Sequence, residues 1–373
     1  MVFPEFLLDE WLGQKHSGRI EFDLGSSTGP SWTLRELLAL SHEDEVGRLL
    51  DTDLLYTSSA GTPELRNAIA EMEGCDPQRV LVLTGAAEAL LLLFTSAAEP
   101  GANVILPRPG FPANDALAAW LGMEARHYML RCEDGFRVDP DEIRRLADGN
   151  TKFVLVNSPH NPTGTVLTDR EVETLHDFCA DRGLQFVADQ VYHPIYHGAG
   201  ARSAARLPHA TVLGDFSKAL CLSGLRTGWM IEPDEKKRAE YLTARSYFTV
   251  CNTALGEKLA AFAVRNRDAI YGRTQRIAGA NLALLDGFFR NAEGILRWVR
   301  PAGGMTAYPW LANGGDARPL CQRLLEAGLL VAPGDCFGMP SHLRLGFAAS
   351  GETFPAAVER MTKLVVGART SVA

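Results

Sequence analysis

Between residues 80 and 231 the chain alternates short, unbroken apolar runs with helix-like segments, and few folds accept that pattern. The runs are Val80-Leu81-Val82-Leu83, Asn103-Val104-Ile105-Leu106, Phe153-Val154-Leu155-Val156, Gln185-Phe186-Val187-Ala188, Thr211-Val212-Leu213 and Trp229-Met230-Ile231. A strand that is apolar on both faces must be covered on both faces, and parallel sheets achieve this by carrying helices above and below. Helices are expected over 88–98 and 115–121. The expected fold class is therefore α/β, a mainly parallel sheet sandwiched by helices. From 252 to 290 the pattern is helical with few breakers. Beyond Gly294, strand-like pieces (Leu296-Arg297-Trp298-Val299, Met305-Thr306-Ala307-Tyr308, Leu343-Arg344-Leu345) mix with helices over 317–327 and 354–366, which describes a smaller α+β domain. A chain of 373 residues exceeds one small core. We expect a large domain over 41–270, a small domain over 271–373, and a segment over 1–40 that packs on both.

The net charge of -8 argues against a general binder of nucleic acid or acidic membrane. Seven scattered cysteines (Cys75, Cys132, Cys179, Cys221, Cys251, Cys321, Cys336) include no C-x-x-C pair, and their number is odd. They are expected to be reduced thiols filling apolar space in a cytoplasmic protein. The start, Met1-Val2-Phe3-Pro4-Glu5-Phe6, has no basic segment leading into a long apolar one, so no signal peptide is expected. The longest apolar stretch, near Ala89 to Phe94, is far shorter than the ~20 residues of a membrane span.

In open α/β sheets ligands sit beyond the carboxyl ends of the strands, and the chemistry-bearing residues fall there. Lys218, in Gly214-Asp215-Phe216-Ser217-Lys218-Ala219-Leu220, follows an apolar strand and precedes a Gly-rich turn and Arg226. That placement suits an amine held in a pocket to form an imine. Upstream lie Asn157-Ser158-Pro159-His160-Asn161-Pro162-Thr163-Gly164 and Ala188-Asp189-Gln190-Val191-Tyr192. Together these runs describe a site for pyridoxal 5′-phosphate, which needs an amine, an acidic partner for its ring nitrogen, a phosphate cradle and a flat apolar face. Lys218 is the expected amine and proton carrier. Asp189 is the expected partner that keeps the ring nitrogen protonated. Tyr192 and Asn161 can donate to the ring's phenolate oxygen, although Asn before Pro is also a common turn former.

For the phosphate, Thr84-Gly85-Ala86-Ala87-Glu88 joins a strand to a helix, so the backbone N–H groups of Gly85, Ala86 and Ala87 can approach an anion. Arg226 and Ser217 are expected to add a guanidinium and a hydroxyl. Phe111, in Pro109-Gly110-Phe111-Pro112, can stack on the ring or serve as plain core. Arg344, in His342-Leu343-Arg344-Leu345-Gly346, sits among apolar residues and wants a carboxylate, either the substrate's or a structural partner's.

These runs resemble the class I/II aminotransferase family, the large group of pyridoxal-phosphate enzymes with the aspartate-aminotransferase fold (fold type I). The matching stretches are 56–66, 84–89, 157–164, 189–192, 217–228, and Pro333-Gly334-Asp335-Cys336-Phe337 with Arg344. The resemblance implies that Asn161, Asp189, Tyr192, Lys218 and Arg226 bind cofactor and that Arg344 binds the substrate carboxylate. It further implies a homodimer with shared active sites, in which Tyr56 reaches the phosphate of the neighbouring subunit's cofactor. The implied activity moves an amino group between an α-amino acid and a 2-keto acid. Two features depart from the family pattern. Asp215 lies just before the lysine, where relatives often carry a Ser, Thr or Arg that touches the phosphate; its carboxylate is expected to turn away or to bond a backbone or cationic group. Gly25-Ser26-Ser27-Thr28-Gly29-Pro30 replaces a Gly-x-Pro-Asp type of segment near the substrate, which makes Ser27 and Thr28 candidate substrate contacts. With Glu10-Trp11-Leu12, it is similar to the N-terminus of capreomycidine-synthase-like enzymes, which cyclise a hydroxylated arginine. That leaves a PLP-dependent lyase or cyclase as the alternative.

Three other readings are weaker. Gly25 to Gly29 matches the Gly-x-Ser-x-Gly elbow of serine hydrolases, but Pro30-Ser31-Trp32 follows where a helix should begin. His193 and His197 have a spacing that binds metal on a helix, but Pro194 interrupts it, so no metal is expected. A regulator that keeps the cofactor fold and senses amino acids is expected to need a DNA-binding domain and a basic face, neither of which is evident here.

Overall fold

The computed structural model describes residues 4–16, 18–41 and 44–367. Met1 to Phe3, on which part of the signal-peptide expectation rests, and the last six positions of the expected small domain lie outside them. The large sheet has seven strands: β1 (Val80–Leu83), β2 (Asn103–Arg108), β3 (Glu124–Met129), β4 (Thr151–Asn157), β5 (Gln185–Asp189), β6 (Ala210–Asp215) and β7 (Gly228–Ile231). Their order is β1-β7-β6-β5-β4-β2-β3. Strands β3, β2, β4, β5 and β6 run parallel, and β7 is antiparallel to both β1 and β6. The sheet is therefore mixed, with its central strands parallel as expected.

The six apolar runs all become strands because both their faces are covered: every residue of β1 and β7 is buried, and Phe153, Val154 and Leu155 of β4 are fully enclosed. One strand escaped the pattern. Strand β3 lies at the sheet edge and carries Glu124, Arg126 and His127, so its sequence is too polar to resemble the buried strands. Arg126 is held there by Glu124 (2.9 Å) and Asp148 (2.7 Å).

Helix α1 (Ala86–Ala97) opens directly after the β1 turn, two residues earlier than expected. The helical region after 252 is two helices, Ala254–Arg265 and α2 (Arg267–Asn291), which meet at Asn266. Helix α2 begins against the large sheet through Ile270. It continues into a second core through Ala278, Leu282, Leu285 and Phe288. That second core holds a small antiparallel sheet of Thr306–Ala307, Leu343–Gly346 and Ala332–Pro333, together with helices Arg318–Glu326 and Phe354–Val365. The N-terminal segment touches both cores. Phe22–Asp23 pairs in parallel with Leu329–Leu330, whereas Leu8 and Leu37 pack toward the large sheet. Among the described residues, no helix is long and apolar enough to cross a membrane. All seven cysteines are free thiols, and Cys179, Cys221, Cys321 and Cys336 are buried.

Candidate active site

The carboxyl ends of β4, β5 and β6 open onto a cavity of about 490 Å³, roofed by the N-terminal segment. Lys218, Asp189, Asn161, Tyr192, Ser217, Arg226 and Arg344 line it, as do Ala86, Ala87, Phe111, Ser27 and Thr28. Residues spread over more than 300 positions thus meet in one space. Gly85 and Tyr56 are not among the lining residues.

The lysine loop leaves β6 and is pinned by its own backbone: Phe216 N–H donates to Thr227 O (3.1 Å) and Leu222 N–H to Phe216 O (2.8 Å). Phe216, fully buried, packs edge-on against Trp229 at 5.3 Å between ring centroids. Lys218 is thereby aimed inward. Its Nζ donates to Ser27 Oγ (3.1 Å) and lies 5.8 Å from the centre of the Tyr192 ring. Tyr192 OH donates to Ser27 O (3.3 Å), so the hydroxyl-rich segment contacts both residues.

Asp189 ends β5 and is buried. Its Oδ1 accepts from Val191 N–H (3.2 Å), and burial pushes its pKa up to about 7, with Asp215 acting in the same direction and Lys218 against it. Among the described residues no cation forms an ion pair with this carboxylate, and a protonated pyridine nitrogen would supply one. Asn157, at the end of β4, holds the neighbouring chain: Nδ2 donates to Asp189 O (3.0 Å) and Oδ1 accepts from Asn161 N–H (2.7 Å). Asn161 Oδ1 accepts from Arg344 Nη1 (3.1 Å), which leaves its Nδ2 as donor toward a cofactor.

The candidate phosphate cradle lies where β1 turns into α1. Gly85 has φ +77°, and a Cβ there would stand 2.7 Å from Arg226 Nη2, so the turn accepts only glycine without strain. Arg226 Nη1 donates to Ser217 Oγ (3.1 Å) and to Ser223 O (3.1 Å). Gly228 of β7 is equally constrained: a Cβ would lie 2.8 Å from Ala86 N and from Gly85 Cα and C. The Asp215 carboxylate accepts from two backbone N–H groups, Ala86 (2.6 Å) and Ser217 (2.5 Å), the backbone bonding expected of it.

Behind the cradle stands a group that the sequence did not reveal. Glu88 Oε2 accepts from Thr84 N–H (2.5 Å), and Glu88 Oε1 pairs with the fully buried Arg245 (3.2 Å). Arg245 also donates to Val82 O (2.7 Å), to Ser59 O and to Asn252 Oδ1. Glu88 was visible in the turn motif, but nothing near Arg245 in sequence marks its reach of 157 positions.

Arg344 is 1% exposed, and among the described residues no carboxylate pairs with it. Nη2 donates to Gly25 O (2.7 Å), Nη1 donates to Asn161, and Nε has no partner. Burial lowers its pKa. Its guanidinium carbon sits 5.0 Å from the centre of the Phe337 ring. A buried cation whose fork is incompletely used has the geometry to accept a small carboxylate. Phe111 borders the cavity and meets Phe6 edge-on at 6.1 Å. Tyr56, in contrast, is 88% exposed.

Two of the weaker readings, the hydrolase elbow and the histidine pair, find no support in the geometry of the described residues. Residues 25–30 run as irregular backbone with no helix directly after them, so the hydrolase elbow does not form. His193 Nδ1 pairs with Tyr196 OH (2.7 Å) and His197 Nε2 with Gly304 O (2.8 Å), so each imidazole is engaged separately.

Residues 39–361 match the family model described as aminotransferase class I and II. Capreomycidine synthase of Streptomyces vinaceus is 32% identical over 353 residues, covering 93% of this chain and 90% of the relative. Two solved structures superpose with a TM-score of 0.90. One is a PLP-dependent aminotransferase from Streptococcus suis 89-1591 (27% identity, 98% of each chain), and the other is the PLP-dependent cyclase OrfR (28% identity, 99% of this chain and 98% of that one).

Proposed function

Because the chain belongs to the class I and II aminotransferase family, with its fold type I architecture and pyridoxal 5′-phosphate cofactor, we propose that it transfers an amino group between an α-amino acid and a 2-keto acid. The observation that carries this reading is the convergence of Lys218, Asp189 and the carboxylate-free Arg344 on one cavity. In it, Lys218 Nζ would anchor the cofactor, Asp189 would partner its ring nitrogen, Asn161 and Tyr192 would donate to its ring hydroxyl, and Phe111 would supply an apolar face. Ala87, Ser217 and Arg226 would hold the phosphate, beside Ala86, whose N–H already donates to Asp215, with Gly85 giving the turn its shape. When bound, the cofactor supplies an electron sink for the charge left on the substrate α-carbon.

The protein's own groups do the rest. Arg344 grips the α-carboxylate through its fork and so fixes which bond at the α-carbon faces Lys218. Lys218 Nζ, steadied by Ser27 Oγ, takes the α-proton and later returns one. Asp189 would hold the ring-nitrogen proton in place. Leu12, Leu90 and Phe111 keep that part of the cavity apolar.

A second reading, elimination followed by ring closure, is favoured by one contact. Ser27 Oγ touches Lys218 Nζ within the segment Ser26-Ser27-Thr28, which can relay a proton to a leaving group at the β- or γ-carbon. The relatives named as a synthase and a cyclase point the same way.

In the same proposal the protein is a homodimer. Leu50, Leu54, Leu55, Tyr56, Tyr247 and Phe248 are exposed apolar residues that a second copy can cover, and Tyr56 then reaches the other subunit's phosphate. The large domain spans 41–270 and the small one 271–373, with residues 1–40 joining both, in a cytoplasmic enzyme.

The test is to mix purified protein with a panel of amino acids and arginine derivatives, follow the cofactor spectrum and identify products by mass. Accumulation of the amine form of the cofactor together with a keto acid supports transamination. Steady return of the aldehyde form with a cyclic or unsaturated product overturns it in favour of the second reading.

A further inference from the structure

We propose that Asp215 is a resident anion of the phosphate cradle, taking backbone hydrogen bonds that a phosphate oxygen would otherwise receive and thereby weakening the grip on the cofactor's phosphate end. Three observations carry this. Asp215, Gly228 and Leu83 stand side by side at the ends of β6, β7 and β1. Two strand spacings, roughly 10 Å, separate β6 from β1. Asp215 Oδ2 nevertheless reaches Ala86 N–H at 2.6 Å, because Gly228 between them has no side chain.

Ala86 N–H is the first amide of the 12-residue helix α1, one of the donors that the turn offers to an anion. It is filled from within the chain. Asp215 Oδ1 accepts Ser217 N–H at 2.5 Å, so the same carboxylate also ties the lysine loop to the cradle. Finally, Asp215 has no direct ion pair with the nearby guanidinium: Arg226 Nη1 donates to Ser217 Oγ and Ser223 O, and Nη2 and Asp215 Oδ2 both border the space that a Gly85 side chain would fill without meeting each other. Asp215 is 5% exposed, so water screens it poorly from a phosphate bound in the cavity it borders.

The arrangement has two effects. It holds the lysine loop and the α1 turn together when no cofactor is bound. It also sets a negative charge against the dianionic phosphate that must enter. Replacing Asp215 should tighten phosphate binding while loosening the cofactor-free chain.

The experiment uses the full-length chain freed of cofactor and two variants, Asp215→Asn, which keeps the shape without the charge, and Asp215→Ser. Dissociation constants are measured by equilibrium dialysis for pyridoxal 5′-phosphate, for pyridoxal and for inorganic phosphate, and the melting temperature is taken without ligand. The expected result is about tenfold tighter binding of pyridoxal 5′-phosphate, a change equivalent to about 1.4 kcal/mol. Inorganic phosphate should bind tighter too, pyridoxal should be unchanged, and the cofactor-free variants should melt lower. Unchanged or weaker binding of pyridoxal 5′-phosphate in Asp215→Asn overturns the proposal, as does an equal gain for pyridoxal. The isosteric variant keeps the test decisive if Asp215→Ser does not fold. Affinity is read without substrate, so failure here leaves the proposed reaction untouched, and failure of that reaction leaves this result standing.

Discussion

Arg344→Gln isolates the substrate carboxylate from everything else in the cavity. In the wild-type chain the buried guanidinium spends Nη1 on Asn161 and Nη2 on Gly25, and Nε is without a partner. A carboxylate docking there gains a charge-assisted contact in a water-poor space. Removing one partner of such a buried pair costs about 2–5 kcal/mol. At 1.36 kcal/mol per factor of ten, kcat/KM for an amino acid should fall between about thirtyfold and several thousandfold. Part of any loss could instead come from Gly25 O and Asn161 Oδ1, which lose their donors in the variant. Stopped-flow absorbance on amino acids and on the matching amino-acid amides separates the two. The amide has no carboxylate to lose, so its rate should fall far less, and the acid-to-amide preference should collapse. Arg344→Lys should lie between, because an ammonium keeps the charge but not the fork. If Arg344→Gln preserves the acid-to-amide ratio, the carboxylate binds elsewhere and Arg344 is structural.

Three further outcomes follow from the same geometry. Lys218→Ala should lose the visible band of lysine-bound cofactor and all turnover while keeping measurable cofactor affinity; a band that persists places the reactive amine elsewhere. In the cofactor-free chain, burial holds Asp189 near 7, above the ~3.9 of an unfolded aspartate. The native state therefore binds this proton more tightly, so the group's contribution to stability is complete below about pH 4 and is lost as pH rises through 7. Asp189→Asn should flatten that part of the profile in urea melts. Glu73, likewise raised to about 7 by burial, keeps its own share; superimposable profiles for variant and parent refute the assignment. Gly228→Ala places a Cβ 2.8 Å from the backbone of Gly85 and Ala86, which cannot give way cheaply, so stability should fall by about 1–3 kcal/mol and cofactor affinity with it. Gly279→Ala on α2 meets nothing within 4 Å and serves as the control; equal effects at both positions refute the clearance argument.

Much of this protein is legible because its buried strands are apolar on both sides and its motifs end those strands. The runs at 80, 103, 153, 185, 211 and 229 became strands for that reason, and Asn157, Asp189 and Asp215 each close one. Strand β3 was not legible because an edge strand needs no second apolar face. Arg245 was not legible either: Glu88, Ser59 and Val82, which it holds, are brought to it by packing from more than 150 positions away. Gly85 was expected to present an amide to the cavity; its N–H donates to Leu83 O (2.8 Å), and its missing side chain leaves room for Arg226, a clearance no linear pattern marks.

The sequence alone determined the layered α/β architecture and which reactive side chains stand at the strand ends beside the cavity, since both follow from local patterns of burial along a strand and of polar residues closing it. The tertiary structure decided how those side chains are charged and occupied. Only folding across three adjacent strands lets Asp215 reach Ala86 N–H over Gly228. Only burial lifts Asp189 toward neutral pH, and only the N-terminal segment, packed from some 190 residues away, lays Ser27 against Lys218. Desolvation and hydrogen-bond competition depend on which atoms share a space, and no linear spacing encodes that.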